Sequence, residues 1–490
     1  MTDTATPPTA ASRRREVLVD ADTGKKPRIV DRLRDWEYLE RSLHRMICAW
    51  GRFFPEWDDK VAVHRHVWEQ AEAVQRLRDR LNEFPGREGN LDQPVSSKLE
   101  TLANTVLEAP SHGDAIDGIY QVFCNALIDS YTAYCEAAHP VHDAPTLGVL
   151  TEVAHTKENM RLWLREYRRR HAHTIDPVYK AAIAEALSTC NRLEAAVPRS
   201  ENETPAAPAG VNSDFRLPRF PARPAGSKPK ANIRPHLMAD FATDIEARRL
   251  YWCFGYMMEM NLAMDQLRWL YDGHFLPWGF TREVSRHLWD ESRHGDSGHS
   301  RLLDFGITIQ EIGFGSYNPE EYYDGRNPLK PDATASGDEA IPATEPAEPM
   351  TPAELYEEVF HIGMVAETGH FHVKREAYDD FKATGDMESA EMMLFDIIDE
   401  QTHVQYAHNW LPVIAEHAGI DNRDYRKRAA EVRRQKQAET DKQTQAAKQL
   451  PRDASNPDFA LYQSLLERMR RHQPLKTDAI DQEPRSSLPM

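Results

Sequence analysis

The chain has 490 residues, 40% of them hydrophobic, which allows two or three domains with sizeable cores. A formal net charge of −18 argues against nucleic acid or an anionic membrane as a partner. No run approaches the roughly 18 apolar residues of a membrane span. The arginines of "MTDTATPPTAASRRREVLVD" precede no apolar segment, so no signal peptide is read and the expected location is the cytoplasm. Five cysteines (Cys48, Cys124, Cys135, Cys190, Cys253) include no CxxC pair, which excludes a zinc ribbon or a built-in rubredoxin module.

Residues 1–30 are expected to be disordered. From 31 to 197 apolar residues recur at three- and four-residue intervals, as in "RLRDWEYLERSLHRMICAWGRFF" and "DAIDGIYQVFCNALIDSYTAYCEAA", and predict helices. Residues 198–235 are rich in proline and polar residues and read as a linker. A second helical block occupies 236–420, interrupted by an acidic, proline-rich loop over 326–350. Residues 421–490 form a charged tail, expected as a solvated helix or disordered chain followed by a short helix that docks on the body. No alternating strand pattern occurs, so the predicted class is all-α.

The second block carries the chemistry. "DESRH" places Glu291 three residues before His294, and "DEQTH" places Glu400 three before His403. Residues at i and i+3 share one helix face, about 5–6 Å apart at Cβ, so each pair can grip one ion. Glu259 precedes Glu291 by 32 residues and Glu367 precedes Glu400 by 33, one helix upstream in each case. One ExxH in an acidic helical chain is ordinary; two, with matched upstream glutamates, are specific. Four carboxylates inside a bundle would repel and be costly to desolvate. Two divalent cations cancel four negative charges, and two neutral imidazoles complete the set. Such oxygen and nitrogen donors suit iron or manganese.

This Glu, ExxH, Glu, ExxH pattern resembles the ferritin-like di-iron carboxylate superfamily over about residues 240–420. It is most similar to poorly characterised bacterial ferritin-like families, and more distantly to a tRNA-modifying hydroxylase. The resemblance implies a ferritin-like four-helix bundle with a di-metal site over those residues; with a decayed copy in the first block, the predicted architecture is two such bundles in tandem, the second carrying the site. It implies Glu291 and Glu400 as bridging, catalytic carboxylates, Glu259 and Glu367 as terminal ligands, and His294 and His403 with one metal each. It also implies two iron ions (or manganese–iron, or two manganese) and O2 as co-substrate. Asp290 is expected beside His403, and Asp399 beside His294, since metal-bound histidines usually donate their other N–H to a carboxylate. Glu367 and His370 make a third ExxH, so His370 is a candidate for an additional metal ligand, the other reading being a residue of the pocket wall; an extra histidine ligand resembles arylamine N-oxygenases, where it sits on a different helix. His287 is read as structural; His299, His361 and His372 as surface or loop residues. Tyr251, Trp252, Tyr256 and Trp269 are read as core.

The first block resembles a decayed copy. "RHVWEQAEAV" aligns with "RHLWDESRHG" at an offset of 221, which puts Gln70 opposite Glu291, Ala73 opposite His294 and His66 opposite His287. Glu37 falls opposite Glu259, and Glu152 and His155 opposite Glu400 and His403. Two metals are not expected there; one weak ion at Glu152 and His155 is the most it offers. The expected function is O2-dependent oxidation or hydroxylation of a small organic substrate, with electrons from an external reductase or from the substrate because no flavin or nicotinamide fingerprint occurs. A homodimer is compatible with it. The alternatives are metal handling or peroxide scavenging, and a metal-stabilised scaffold. Substrate and metal identity are not legible.

Overall fold

The computed structural model describes residues 29–84, 96–197, 210, 213–226, 233–314, 346–453 and 455–472. The expected disordered N-terminus, much of the linker and most of the acidic loop fall outside them. The described residues form helices, with one isolated bridge between Pro218 and Pro346 and no strand. None of these helices is long and apolar enough to cross a membrane.

The chain divides into two compact units that interleave in sequence. The first comprises Met1–Phe53, Ala62–Leu217 and Pro277–Arg282; the second Phe54–Val61, Pro218–Leu276 and Glu283–Met490. The break is therefore not confined to the proline-rich stretch.

The first unit is built from α1 (Ile29–Gly51), most of α2 (Trp57–Asn82), α3 (Ser97–Leu107), α4, α5 (Ala144–Arg170) and α6 (Pro177–Thr189). Helix α4 runs through His112–Ile116, a π-helical turn Asp117–Phe123 and Cys124–Ala137. Ser96 and Ser111 accept backbone N–H bonds at the starts of α3 and α4, and Asp176 does so at α6. Helix α1 is buried almost all round. An element of that kind is central rather than amphipathic.

The second unit comprises α7 (Arg234–Asp240), α8 (Ile245–Asp272), most of α9 (Trp278–Asp304), α10, α11 (Met387–Ala418), α12 (Tyr425–Ala447) and α13 (Pro457–His472). Helix α10 also contains a π turn: Pro352–Val359, then Phe360–Glu367, then Thr368–Thr384. Asp244 caps α8 by accepting from the N–H groups of Glu246 and Ala247. A Thr351–Glu354 capping box opens α10. Gly385 and Gly419 close α10 and α11 in left-handed conformation.

The tail is helical and mostly exposed, as a solvated helix would be, but it is not detached. Helix α12 packs on α7 and on the π turn of α10. Arg433 donates to the Met364 carbonyl, and to Thr368 Oγ1 at 2.7 Å. Helix α13 docks as expected: Tyr462, Leu465, Leu466 and Met469 join the core cluster of this unit, and Tyr462 donates to Asp240 at 2.8 Å.

Helices α8 and α9 approach through glycine. A Cβ on Gly298 would lie 2.5 Å from Met257 N and 2.6 Å from Cys253 O; one on Gly295 would lie 3.0 Å from Met260 N. Backbone atoms cannot step aside as a side chain can. Gly298→Ala should therefore lower unfolding free energy by about 1–3 kcal/mol, the overpacking cost outweighing the ~1 kcal/mol gained in helix propensity. Gly255, which has open space at its Cβ position, is the control: Gly255→Ala should be neutral or stabilising by up to ~1 kcal/mol. Denaturant titration of both variants checks this, and a Gly298→Ala chain as stable as Gly255→Ala would contradict the close crossing.

Candidate metal centre

The residues predicted to hold metal come from α8 (Glu259), α9 (Glu291, His294), the end of the π turn of α10 (Glu367) and α11 (Glu400, His403). All lie in the second unit. Ligand-type atoms of His287, Glu291, Glu367 and His403 lie within 4.8 Å of one another, and all four residues are buried. A second grouping joins Glu259, Glu291 and His294, and a third joins Glu259, Asp396 and Glu400. The first two share Glu291.

The atoms sort by side. His287 Nε2 stands 3.1 Å from Glu291 Oε1 and 2.9 Å from Glu367 Oε1. His403 Nδ1 stands 3.3 and 3.5 Å from the same two oxygens. On the other side, His294 Nδ1 stands 3.3 Å from Glu259 Oε2, 3.5 Å from Asp396 Oδ1 and 3.9 Å from Glu291 Oε2. The two oxygens of Glu291 thus face different groupings. Glu259 is the least buried member, its side chain 26% exposed although its inward Oε2 is buried.

The outer partners fix the imidazoles. Asp290 Oδ2 lies 3.3 Å from His403 Nε2, and Asp399 Oδ2 lies 3.3 Å from His294 Nε2. Each carboxylate holds the N–H of one ring nitrogen, which leaves Nδ1 of both histidines facing the cluster. Burial opposes charge on Asp290, but hydrogen bonds from His403 and Arg286 hold its carboxyl well below the usual range. Arg286 donates to Asp290 at 2.8 Å, and Arg293 donates to Asp290 and to Asp399, the latter at 2.7 Å.

Several inward atoms are orphans. Among the described residues, Glu259 Oε2, Glu367 Oε2, Asp396 Oδ1, Glu400 Oε2, His294 Nδ1 and His403 Nδ1 are buried and have no hydrogen-bond partner. Such atoms are costly to leave unsatisfied. Cations on the two sides would satisfy the Glu367 and His403 atoms on one and the Glu259, His294, Asp396 and Glu400 atoms on the other, so the residues present fit metal.

Sequence reasoning missed four participants. His287, read as structural in the sequence and aligned with His66, is one of them. His66 proves to be a different case: it packs on Tyr120 and Trp163, its Nδ1 3.3 Å from the Tyr120 hydroxyl. His287 instead stacks on His403, ring centroids 3.7 Å apart, and faces two carboxylates. Asp396 and Lys374 carried no signal beyond helical spacing. Lys374 Nζ donates to Glu400 Oε1 at 2.6 Å and lies 2.7 Å from Asp396 Oδ2. Burial favours its neutral form, but the charges of Asp396 and Glu400 outweigh this and hold its pKa above the usual value. Tyr256, expected as core, also donates to Asp396 Oδ2 at 2.6 Å. Tyr251, Trp252 and Trp269 pack with aromatic neighbours or reach Glu358.

His370 is not brought into the cluster. It is half-buried, one turn beyond Glu367, and belongs to none of the groupings. His299 packs on Trp57, His372 is exposed, and His361, expected at the surface, is buried.

The first unit holds a different centre. Lys157 pairs with Glu40 and donates to Gln70 Oε1 at 2.8 Å; Gln70 and Tyr131 also donate to Glu40. The lysine and glutamate side chains are wholly buried. Glu37, not Glu40, had been placed opposite Glu259; it is paired instead with Arg78 at 2.7 Å and Arg41 at 3.2 Å. Glu152 and His155 are exposed, and Glu152 pairs with Arg76 at 2.6 Å. The suggested weak metal position there is not formed: the buried charged residue of α5 is Lys157, two places beyond His155.

Compared with known proteins, the chain matches no family model, no curated protein and no solved structure.

Proposed function

We propose that the chain is a tandem of two ferritin-like four-helix bundles whose second member holds a two-metal carboxylate centre and uses O2 to oxidise or hydroxylate a small organic substrate. The observation that carries this is Glu291, buried, with one oxygen toward His287, Glu367 and His403 and the other toward Glu259 and His294. The tandem reading is supported by a π turn in α4 of the first unit and in α10 of the second.

A bound iron or manganese pair would supply the redox chemistry, passing electrons to O2. Reducing O2 to water takes four electrons. Hydroxylation draws two from the substrate, and an external donor supplies the other two. The chain's own part is positional. Asp290 and Asp399 lock the imidazoles, the buried walls keep water from the inner carboxylates, and the partly exposed Glu259 marks the side where a small substrate can approach. Lys374 and Tyr256 hold protons next to Asp396 and Glu400.

One observation favours a second reading, a metal-free charge network: Lys374 already offsets part of the acid charge. One measurement separates the two. Protein produced with iron and manganese supplied should retain about two ions per chain, and after anaerobic reduction should consume O2 with a transient visible absorbance change. Metal-free protein of unchanged thermal stability after metal is offered would sink the proposal.

A further inference from the structure

Each ExxH motif of the centre has a third member four residues before its glutamate. In "HLWDESRH" it is His287, and in "DIIDEQTH" it is Asp396. Residues at i and i+4 share a helix face, so His287 accompanies Glu291 and Asp396 accompanies Glu400. The two extras differ in kind and serve opposite sides. His287 faces Glu367, Glu291 and His403. Asp396 is wholly buried and faces Glu259, Glu400 and His294.

The orphan atoms on that side single out Asp396. Its Oδ2 is used twice, by the Tyr256 hydroxyl and by Lys374. Its Oδ1 has no hydrogen-bond partner and stands 3.5 Å from His294 Nδ1, also an orphan. Glu400 is divided in the same way: Oε1 accepts from Lys374 and Oε2 is an orphan. Lys374 therefore occupies the outer oxygens of two carboxylates and leaves their inner oxygens free.

We propose that Asp396 is a metal ligand of the Glu259–His294 side and that Lys374 is its fixed counter-charge. This rests on the reading of the cluster as a two-metal centre. Charge counting supports it. Glu259, Glu291, Glu367, Asp396 and Glu400 bring five negative charges, and Lys374 offsets one. The remaining four match two divalent ions. Asp290 and Asp399 are matched separately by Arg286 and Arg293. Without Lys374, the fifth carboxylate would leave the loaded centre with a buried unbalanced charge, which is expensive. The centre thus has one histidine-rich position, with His287 and His403, and one carboxylate-rich position, with His294 as its imidazole. Hard, oxygen-preferring ions favour the second.

The test uses the full-length protein, made metal-free and titrated with Mn2+ and separately with Co2+, with stoichiometry and both affinities read by calorimetry and by metal analysis after desalting. Wild type should take two ions. Asp396→Ala should keep the ion at the His287–His403 position within about 3-fold and weaken the ion at the Glu259–His294 position by 100-fold or more. Should the lone Lys374 ammonium prevent that variant from folding, Asp396→Leu with Lys374→Met removes both charges together and keeps the balance of four. That pair should fold, bind the ion of the His287–His403 position normally and lose at least 10-fold on that of the Glu259–His294 position. Two ions bound with wild-type affinities in either variant would overturn the assignment of Asp396 while leaving the two-metal centre standing. No metal bound by wild type would overturn both.

Discussion

Glu291→Ala should strip the protein of nearly all its metal, to below about a tenth of the wild-type content after desalting. Other single substitutions remove a group from one side of the cluster; this one removes an oxygen from each. Loss of a mere supporting partner costs 10–100-fold in metal affinity, so loss of the shared ligand should cost on the order of 100-fold or more at both positions. Burial opposes charge on Glu291, but hydrogen bonds from His287, His294 and His403 hold its carboxyl well below the usual range, so its loss also removes favourable partners in the metal-free chain. The metal-free variant should fold but be less stable than metal-free wild type, and that comparison measures the cost of the lost contacts. In addition it should lose the stabilisation that metal confers, about 2.7 kcal/mol at a free concentration 100 times Kd. Metal content and the thermal midpoint with and without metal check both halves. Wild-type occupancy would refute the placement of Glu291 between two ions.

The second large effect belongs to the first unit. Lys157→Ala leaves Glu40 buried without its cation and Gln70 without one of its partners. Removing one member of a buried ion pair typically costs 3–5 kcal/mol. At 2–4 °C per kcal/mol for a unit of this size, the thermal midpoint of that transition should fall by roughly 10 °C. Lys157→Met with Glu40→Leu removes both charges and should recover most of the loss, because a well-packed apolar pair often matches a buried ion pair. Metal content should be unchanged in all of these variants, since the first unit neutralises its buried acid with an ammonium. A midpoint within 2 °C of wild type for Lys157→Ala would contradict the energetic role of the pair.

Much of the second unit's centre was legible because its spacing is that of a helix. Glu291 with His294 and Glu400 with His403 repeat at i and i+3, and the upstream glutamates lie one helix away. That places six groups on facing stripes before any coordinates are known. What escaped was the choice between neighbouring stripes. From Glu367, His370 at i+3 is turned about 60° off the glutamate's direction, whereas Lys374 at i+7 is off by about 20°. The lysine therefore points with the glutamate and the histidine does not, although the written motif favours the histidine. "FHVKREAYDD" reads as an ordinary charged helix face, and nothing in it announces a buried ammonium. His287 was misjudged for another reason: an aligned residue need not keep its environment. His66 lies among aromatics, and His287 among carboxylates. In the first unit a short sequence match fixed the register of α2 but not of α5, where a shift of two residues turns Glu152 and His155 outward and Lys157 inward.

The π turn of α10 ends on Glu367, and the guanidinium of Arg433 from α12 holds the Met364 carbonyl inside that turn. A π turn is an α-helix with one residue too many. Returning it to ordinary pitch would rotate one flank against the other by about 100°, swinging Glu367 away from His287 and His403. The charged C-terminal segment therefore acts as a latch on helical phase: a chain shortened before α12 would still possess every candidate ligand, yet Glu367 would lose one of the contacts that keep it aimed.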